Sequence, residues 1–287
     1  MFTAGPRKDA LESLELRDTD KKSLLVLAPA RGGMATRLAL GGTHAFFLDE
    51  STLRDPAKNV RGGNPVLFPQ PGKLEGDAFF RDGKRGSLKQ HGFARNVAWE
   101  VAGTSTDGAA SATLRLASSD STRAAYPWDF SAEYTYTLRG KVLRIDQRFE
   151  NRGKEPIPFG AGFHPYFHLK QSEKAQAKVG TKATRAFDNV TKKDTALAGI
   201  DLSVKEVDLH LYDHGAVPCT LTWPGGALAL RGSAEYTHWV VWTLEGKDFV
   251  CVEPWTCPGN ALNTGERLLV LAPGESKTIW VEYERTA

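Results

Sequence analysis

Cysteine is scarce in this chain: Cys219, Cys251 and Cys257 are the only three among 287 residues. An odd, irregularly spaced set excludes a disulfide framework and fits reduced thiols, so a cytoplasmic location is expected. Long apolar runs are missing. No stretch approaches the roughly 20 residues of a membrane helix, and residues 1–22 hold no apolar run of the signal-peptide kind. No membrane partner is expected. Charge of one sign is also missing: 37 Lys and Arg face 34 Asp and Glu, a formal net charge of +3. That balance argues against a nucleic-acid partner. The densest basic stretch, Arg81, Lys84, Arg85, Lys89 and Arg95, reads either as a solvated loop or as a local anion site. Helical periodicity is weak, with residues 9–16 the best short candidate. There is no HExxH, paired CxxC, GxSxG, P-loop or dinucleotide fingerprint. Neither a catalytic metal nor a cofactor is expected.

What is present is strand. Aromatic residues make up 10% of the chain and apolar residues recur throughout, which excludes disorder as the main state. Short β-branched and aromatic runs alternate with Gly, Pro, Asn and Asp. The runs are 23–28, 45–48, 112–117, 131–138, 142–150, 220–223, 227–230, 236–244, 249–255, 267–271 and 278–284. Arg139-Gly140-Lys141, residues 245–248 and Pro273-Gly274 read as hairpin turns. No composition break or repeat appears. The chain is therefore read as all-β: one antiparallel sandwich domain spanning residues 1–287, with very little helix.

Three segments carry more polar chemistry than a plain sheet needs. Residues 61–96 contain RGGNPVLFPQPGKL and QHGFARN, a long Gly- and Pro-rich stretch holding His91. In PIPFGAGFHPYFHL, residues 156–169, a strand would put Ile157, Phe159, Ala161 and Phe163 on one face. Pro158, Gly160, Gly162 and His164 would share the other. Either His164 stands over a surface cleared for a ligand, or another chain segment packs against those glycines. His164 and His168 are too far apart along a strand, about 13 Å, to share one metal ion. In FVCVEPWTCPGNAL, residues 249–262, Phe249, Cys251, Glu253 and Trp255 share a face. A carboxylate there is costly to bury unless it is paired or functional. Burial would also raise its pKa toward the range of a general base.

Together these segments resemble the aldose 1-epimerase (galactose mutarotase-like) family. The likeness rests on QHGFARN at 90–96, GFHPYFHL at 162–169 and VCVEPW at 250–255, in that order. It implies a large twisted antiparallel β-sandwich, the galactose mutarotase-like supersandwich, with sugar bound on the concave face. It implies that His164 is a general acid, that Glu253 is a general base, and that His91 holds and polarises the substrate. Lys73 stands where many relatives carry a sugar-binding arginine, and lysine lacks the fork geometry of arginine. Asp208 resembles the family's sugar-binding aspartate, with Asp213 the weaker choice. Gln90 and Trp255 complete the expected contacts, Trp255 packing on a pyranose.

The implied reaction is interconversion of the α and β anomers of a hexose. One group takes the C1 hydroxyl proton and another protonates the ring oxygen, without a cofactor. Arg61, Lys89 and Arg95 could instead serve a hexose 6-phosphate. The reading favours a free aldose, with Arg95 paired to an Asp or Glu and Lys89 facing solvent. A non-catalytic sugar-binding protein on the same fold is the other alternative. The expected partner is a small-molecule sugar, and the expected state is a monomer or homodimer.

Overall fold

The computed structural model describes residues 1–8, 11–215 and 217–287. Among them, two eight-stranded antiparallel sheets dominate. One runs in the order Lys178–Gly180, Cys219–Trp223, Gly226–Gly232, Ser276–Arg285, Val142–Asn151, Phe130–Arg139, Ala110–Ala117, Glu100–Ser105. The other runs Lys193–Ala196, Arg185–Asp188, Glu206–Leu211, His238–Leu244, Phe249–Trp255, Gly162–Phe163, Val66–Leu67. Tyr166–His168 also pairs with Phe249–Trp255 in this second sheet. An N-terminal five-stranded sheet begins with Phe2–Lys8 and ends with Thr43–His44.

Alternation drives the stacking. Along Ala110–Ala117 every second residue is buried, and along Val142–Asn151 Leu143, Ile145 and Phe149 point inward. These faces meet aromatic residues from the second sheet and its loops. Phe149 stacks on Phe68 at 5.4 Å and packs against Phe159 at 4.7 Å, and Tyr134 meets Phe163 edge-on at 5.7 Å. Such side chains bury 150–250 Å² each and dominate a core. The strand Phe249–Trp255 is buried at all seven positions. Val250 and Val252 belong to the inter-sheet core, and Cys251, Glu253 and Trp255 turn the opposite way. That opposite face is the one that carries the site.

Most expected strands form. Of residues 9–16, expected as helix, 12–16 instead lie in the strand Glu12–Asp18; residues 9 and 10 lie outside the described residues. Leu14 and Leu16, two apart, are both buried, and the strand is paired on both edges, which outweighs the local helical signal. Residues 45–48 make only isolated bridges, Phe46 to Phe167 and Leu48 to Gly62. No helix among the described residues is long and apolar enough to cross a membrane.

Candidate active site

The second sheet's outer face carries a cavity of about 520 Å³, within the usual size range for small-molecule sites. Strand register lays out its floor, because directly opposite residues of antiparallel strands point to the same side. One row is His210, Val240 and Glu253; the next is Asp208, Trp242, Cys251 and Tyr166. His238 and Trp255 sit opposite each other one row on. Loops supply His91, Arg95, Arg61, Lys73 and Gln90 to the walls.

His91, His164 and Glu253 converge although 73 and 89 residues separate them along the chain. His164 Nδ1 lies 3.5 Å from Glu253 Oε1, and the His91 and His164 rings meet edge-on at 5.5 Å. His164 Nδ1 is buried and makes no hydrogen bond, so the two groups face each other across a gap. The ring is held by stacking on Tyr166 at 4.7 Å and by the edge of Trp242. Glu253 Oε2 accepts a hydrogen bond of 3.1 Å from Trp255 Nε1. Burial, then the charge of Asp208, pushes the Glu253 carboxyl well above its ordinary value, and the Trp255 bond and Arg95 oppose this. Burial, then Arg95, pulls the His164 imidazole down to about 3.

His91 is fixed by the backbone of Gly72. Its amide donates to the Gly72 carbonyl at 2.7 Å, and its Nδ1 accepts from the Gly72 amide at 3.0 Å. An accepting Nδ1 places the ring proton on Nε2. Burial holds the ring neutral, so His91 is a neutral donor. It sits in the left-handed region at φ 71°. Gly92, at φ 69°, follows, and a Cβ there would lie 2.3 Å from the Phe68 carbonyl oxygen. Gly92→Ala is therefore expected to lower stability by about 2 kcal/mol or more. A thermal melt within a degree of the parent would refute this close-packing argument.

The structure corrects several expectations. The segment expected as one strand is broken into Ile157–Phe159, Gly162–Phe163 and Tyr166–His168. Phe159, Ala161 and Phe163 are fully buried as alternation required, yet the glycine face is not open. A Cβ on Gly160 would strike Cys257, and one on Gly162 would strike Trp255. Close packing explains these glycines, while His164 still borders the cavity. Trp255 lines the cavity but is only 3% exposed, with its ring among those of His91, His210 and His238 and its indole bonded to Glu253. Asp213 is exposed and bonded to Thr184, away from the cavity lining, whereas Asp208 lines it. Cys251, which had no partner in sequence, brings a ligand atom within 4.8 Å of those of His164 and Glu253. Burial pushes its thiol pKa well above the ordinary value.

The expected carboxylate partner of Arg95 is not there. Among the described residues Arg95 makes no ion pair; one guanidinium nitrogen donates to the Gln90 carbonyl at 2.8 Å, and Nε is buried without a partner. Arg61 lies over the Trp242 ring at 5.8 Å, also without a carboxylate. Lys89 is exposed and outside the cavity lining, as expected, whereas Lys73 and Gln90 are exposed at its mouth. The sequence reading missed His210, His238 and Trp242. The signal was available, since HWVVWTL places His238, Val240 and Trp242 on one face by period-two alternation.

The model of the aldose 1-epimerase family matches residues 23–284. The chain belongs to that family. A crystal structure of a protein from Synechocystis sp. PCC 6803 superposes with a TM-score of 0.93 at 36% identity, covering 98% of this chain and 96% of that one. A galactose 1-epimerase structure from Lactobacillus acidophilus shares the fold, with a TM-score of 0.76 at 16% identity and coverage of 100% and 99%. A Cenchrus ciliaris protein provisionally named glucose-6-phosphate 1-epimerase is 24% identical over 270 residues, 82% of this chain and 73% of the relative. Matches to further bacterial relatives cover about half the length of each. The fold is thus galactose mutarotase-like, and the chain is an epimerase-type enzyme with a small sugar as its substrate class.

Proposed function

We propose that this epimerase interconverts the α and β anomers of a hexose, with His164 and Glu253 moving the protons. The observation that carries this reading is the 3.5 Å gap between His164 Nδ1 and Glu253 Oε1, closed by no hydrogen bond and flanked by the neutral donor His91. In the reactive arrangement Glu253 is ionised and takes the C1 hydroxyl proton. Protonated His164 gives its proton to the ring oxygen, the C1–O5 bond breaks, and an aldehyde forms. Rotation about C1–C2 and the reverse transfers close the ring on the other face. His91 Nε2–H stabilises charge on the sugar oxygen at the reacting centre. Burial favours a resting pair with its proton on Glu253, which differs from the reactive arrangement only in where that single proton sits. Proton transfer is all the chemistry required, so no cofactor is called for. Turnover should survive exhaustive dialysis against a chelator.

A phosphorylated hexose is the favoured substrate in this reading. Its support is that Arg61 and Arg95 line the same cavity as His164 without a carboxylate partner among the described residues. This departs from the free aldose favoured by sequence. Polarimetry of fresh α-D-glucose and exchange NMR of glucose 6-phosphate, at equal ionic strength, test both levels. Faster anomer exchange with either sugar supports the epimerase, and no acceleration of any aldohexose sinks it.

The pH profile of kcat/KM follows from the pair. A second proton must go onto His164, whose pKa is pulled down to about 3. The last proton must leave Glu253, whose pKa is raised. Activity is therefore expected between the two, with an acid limb well below the ordinary histidine value of 6.5. An acid limb between about pH 6 and 7 would contradict the burial argument.

A further inference from the structure

The wall opposite the catalytic pair holds two histidines that the proposed reaction does not use. His210 Nδ1 and His238 Nε2 lie 2.8 Å apart, so one N–H must sit between them. His210 Nε2 lies 3.5 Å from Asp208 Oδ1, outside hydrogen-bond geometry but close enough for the carboxylate to bias the proton position. His238 is 1% exposed, and its Nδ1 is buried with no partner.

These facts select one tautomer. If His210 donated, its bare Nε2 would face the carboxylate, and His238 would carry an orphaned, buried Nδ1–H. If His238 donates, His210 carries its proton on Nε2 beside Asp208, and the buried Nδ1 of His238 is only an unfilled acceptor. Orphaned buried donors are the rarer and costlier case, so both arguments favour the second arrangement. His238 is held by the Trp255 ring, 5.6 Å away at 22°. Asp208 in turn accepts a hydrogen bond of 2.6 Å from Asn189 Nδ2. His210 and Asp208 both line the cavity and are half-buried.

We infer that His210 is a specificity-determining residue: His238 locks it as an Nε2–H donor, which together with the acceptor Asp208 reads one sugar hydroxyl. This rests on the epimerase reading above. Register supplies the geometry. His210, Val240 and Glu253 are directly opposite on adjacent strands, so His210 lies two strand spacings, about 10 Å, from the base. A pyranose with its C1–O5 edge at His164 and Glu253 then lies over Val240. In a six-membered ring C3 is opposite O5, so the edge that reaches His210 and Asp208 is C2–C3–C4. Arg61 and Arg95 act on His164 electrostatically, and Arg61 lies over Trp242, outside the row of His210, Val240 and Glu253.

The test combines hydroxyl deletion with side-chain deletion. kcat and KM would be measured for the parent sugar and its 2-, 3- and 4-deoxy analogues with the wild type and His210→Phe. His210→Phe is expected to reduce kcat/KM for the parent roughly tenfold or more, mostly through KM. The penalty should vanish for one deoxy analogue, whose missing hydroxyl is the one His210 reads. An equal penalty on the parent and all three analogues would make His210 merely structural and overturn the inference. Because His238 is buried, its role is read without substitution, from ¹⁵N chemical shifts of the two rings. Both should be Nε2–H tautomers, and an Nδ1–H His210 would overturn the lock. If the wild type accelerates no aldose, the epimerase reading fails separately. The ring shifts, and their response to added glucose 6-phosphate, then decide the donor assignment alone: an unmoved His210 Nε2 on saturation with sugar would refute it.

Discussion

Glu253→Gln and His164→Asn are each expected to lower kcat by at least about 100-fold, the low end of what a positioned acid or base contributes. Gln keeps the size of Glu253 and can still accept the Trp255 indole bond, but it cannot exchange a proton. Asn keeps polarity at 164 but loses the imidazole that stacks on Tyr166. The stability outcome separates catalysis from folding. The folded Glu253 pKa is raised, so its contribution to stability is full at low pH and is lost as pH rises through the folded value. Gln remains neutral throughout, so Glu253→Gln should melt no lower than the parent, and higher at alkaline pH. A Gln variant that turns over at near the parent rate would remove the carboxylate from the reaction. One that melts lower at all pH values would remove the burial argument.

The second large effect concerns the two arginines. Replacing Arg61 and Arg95 together by Gln is expected to reduce kcat/KM for glucose 6-phosphate by roughly 100-fold, as charge-assisted contacts to a phosphate contribute about 1.5–3 kcal/mol each. Turnover of glucose should change much less, since it offers no anion. Raising ionic strength should weaken the parent's use of the phosphate more than that of glucose, because Arg61 is exposed and screened. Equal losses on both sugars would mean that the pair shapes the cleft without reading a phosphate. A parent enzyme that prefers glucose would return the assignment to the neutral sugar. Gln90 supplies a control. It holds Arg95 through its backbone carbonyl, so Gln90→Ala should leave the phosphate preference standing.

Much of the site was legible because strands speak with a period of two. Phe249, Cys251, Glu253 and Trp255 could be placed on one face from residue order alone, and the fold puts Glu253 and Trp255 on the cavity while Phe249 and Cys251 pack beneath Tyr166. The motifs around His91, His164 and Glu253 pointed to proton transfer before any distance was known. Period two also misled where the chain is not one strand. The glycines at 160 and 162 were ambiguous between clearing a surface and admitting a neighbour, and only Cys257 and Trp255, more than ninety residues away, decide it. Residues 12–16 failed as a helix because pairing partners on both edges outweigh a weak local preference.

The sequence by itself determined the all-β class, the alternating core faces and which residue types could carry acid–base chemistry. All three follow from covalent order and the geometry of a single strand. The tertiary structure alone decided that Arg95 stands without a carboxylate among the described residues, that Glu253 and His164 face each other across a gap, and that His210 and His238 share a hydrogen bond. Those depend on register between strands and on what surrounds each charge. Neither is encoded locally, because contacts that fix a proton's position or leave a guanidinium unpaired come from segments distant in sequence, brought together only when the sheet closes over its core.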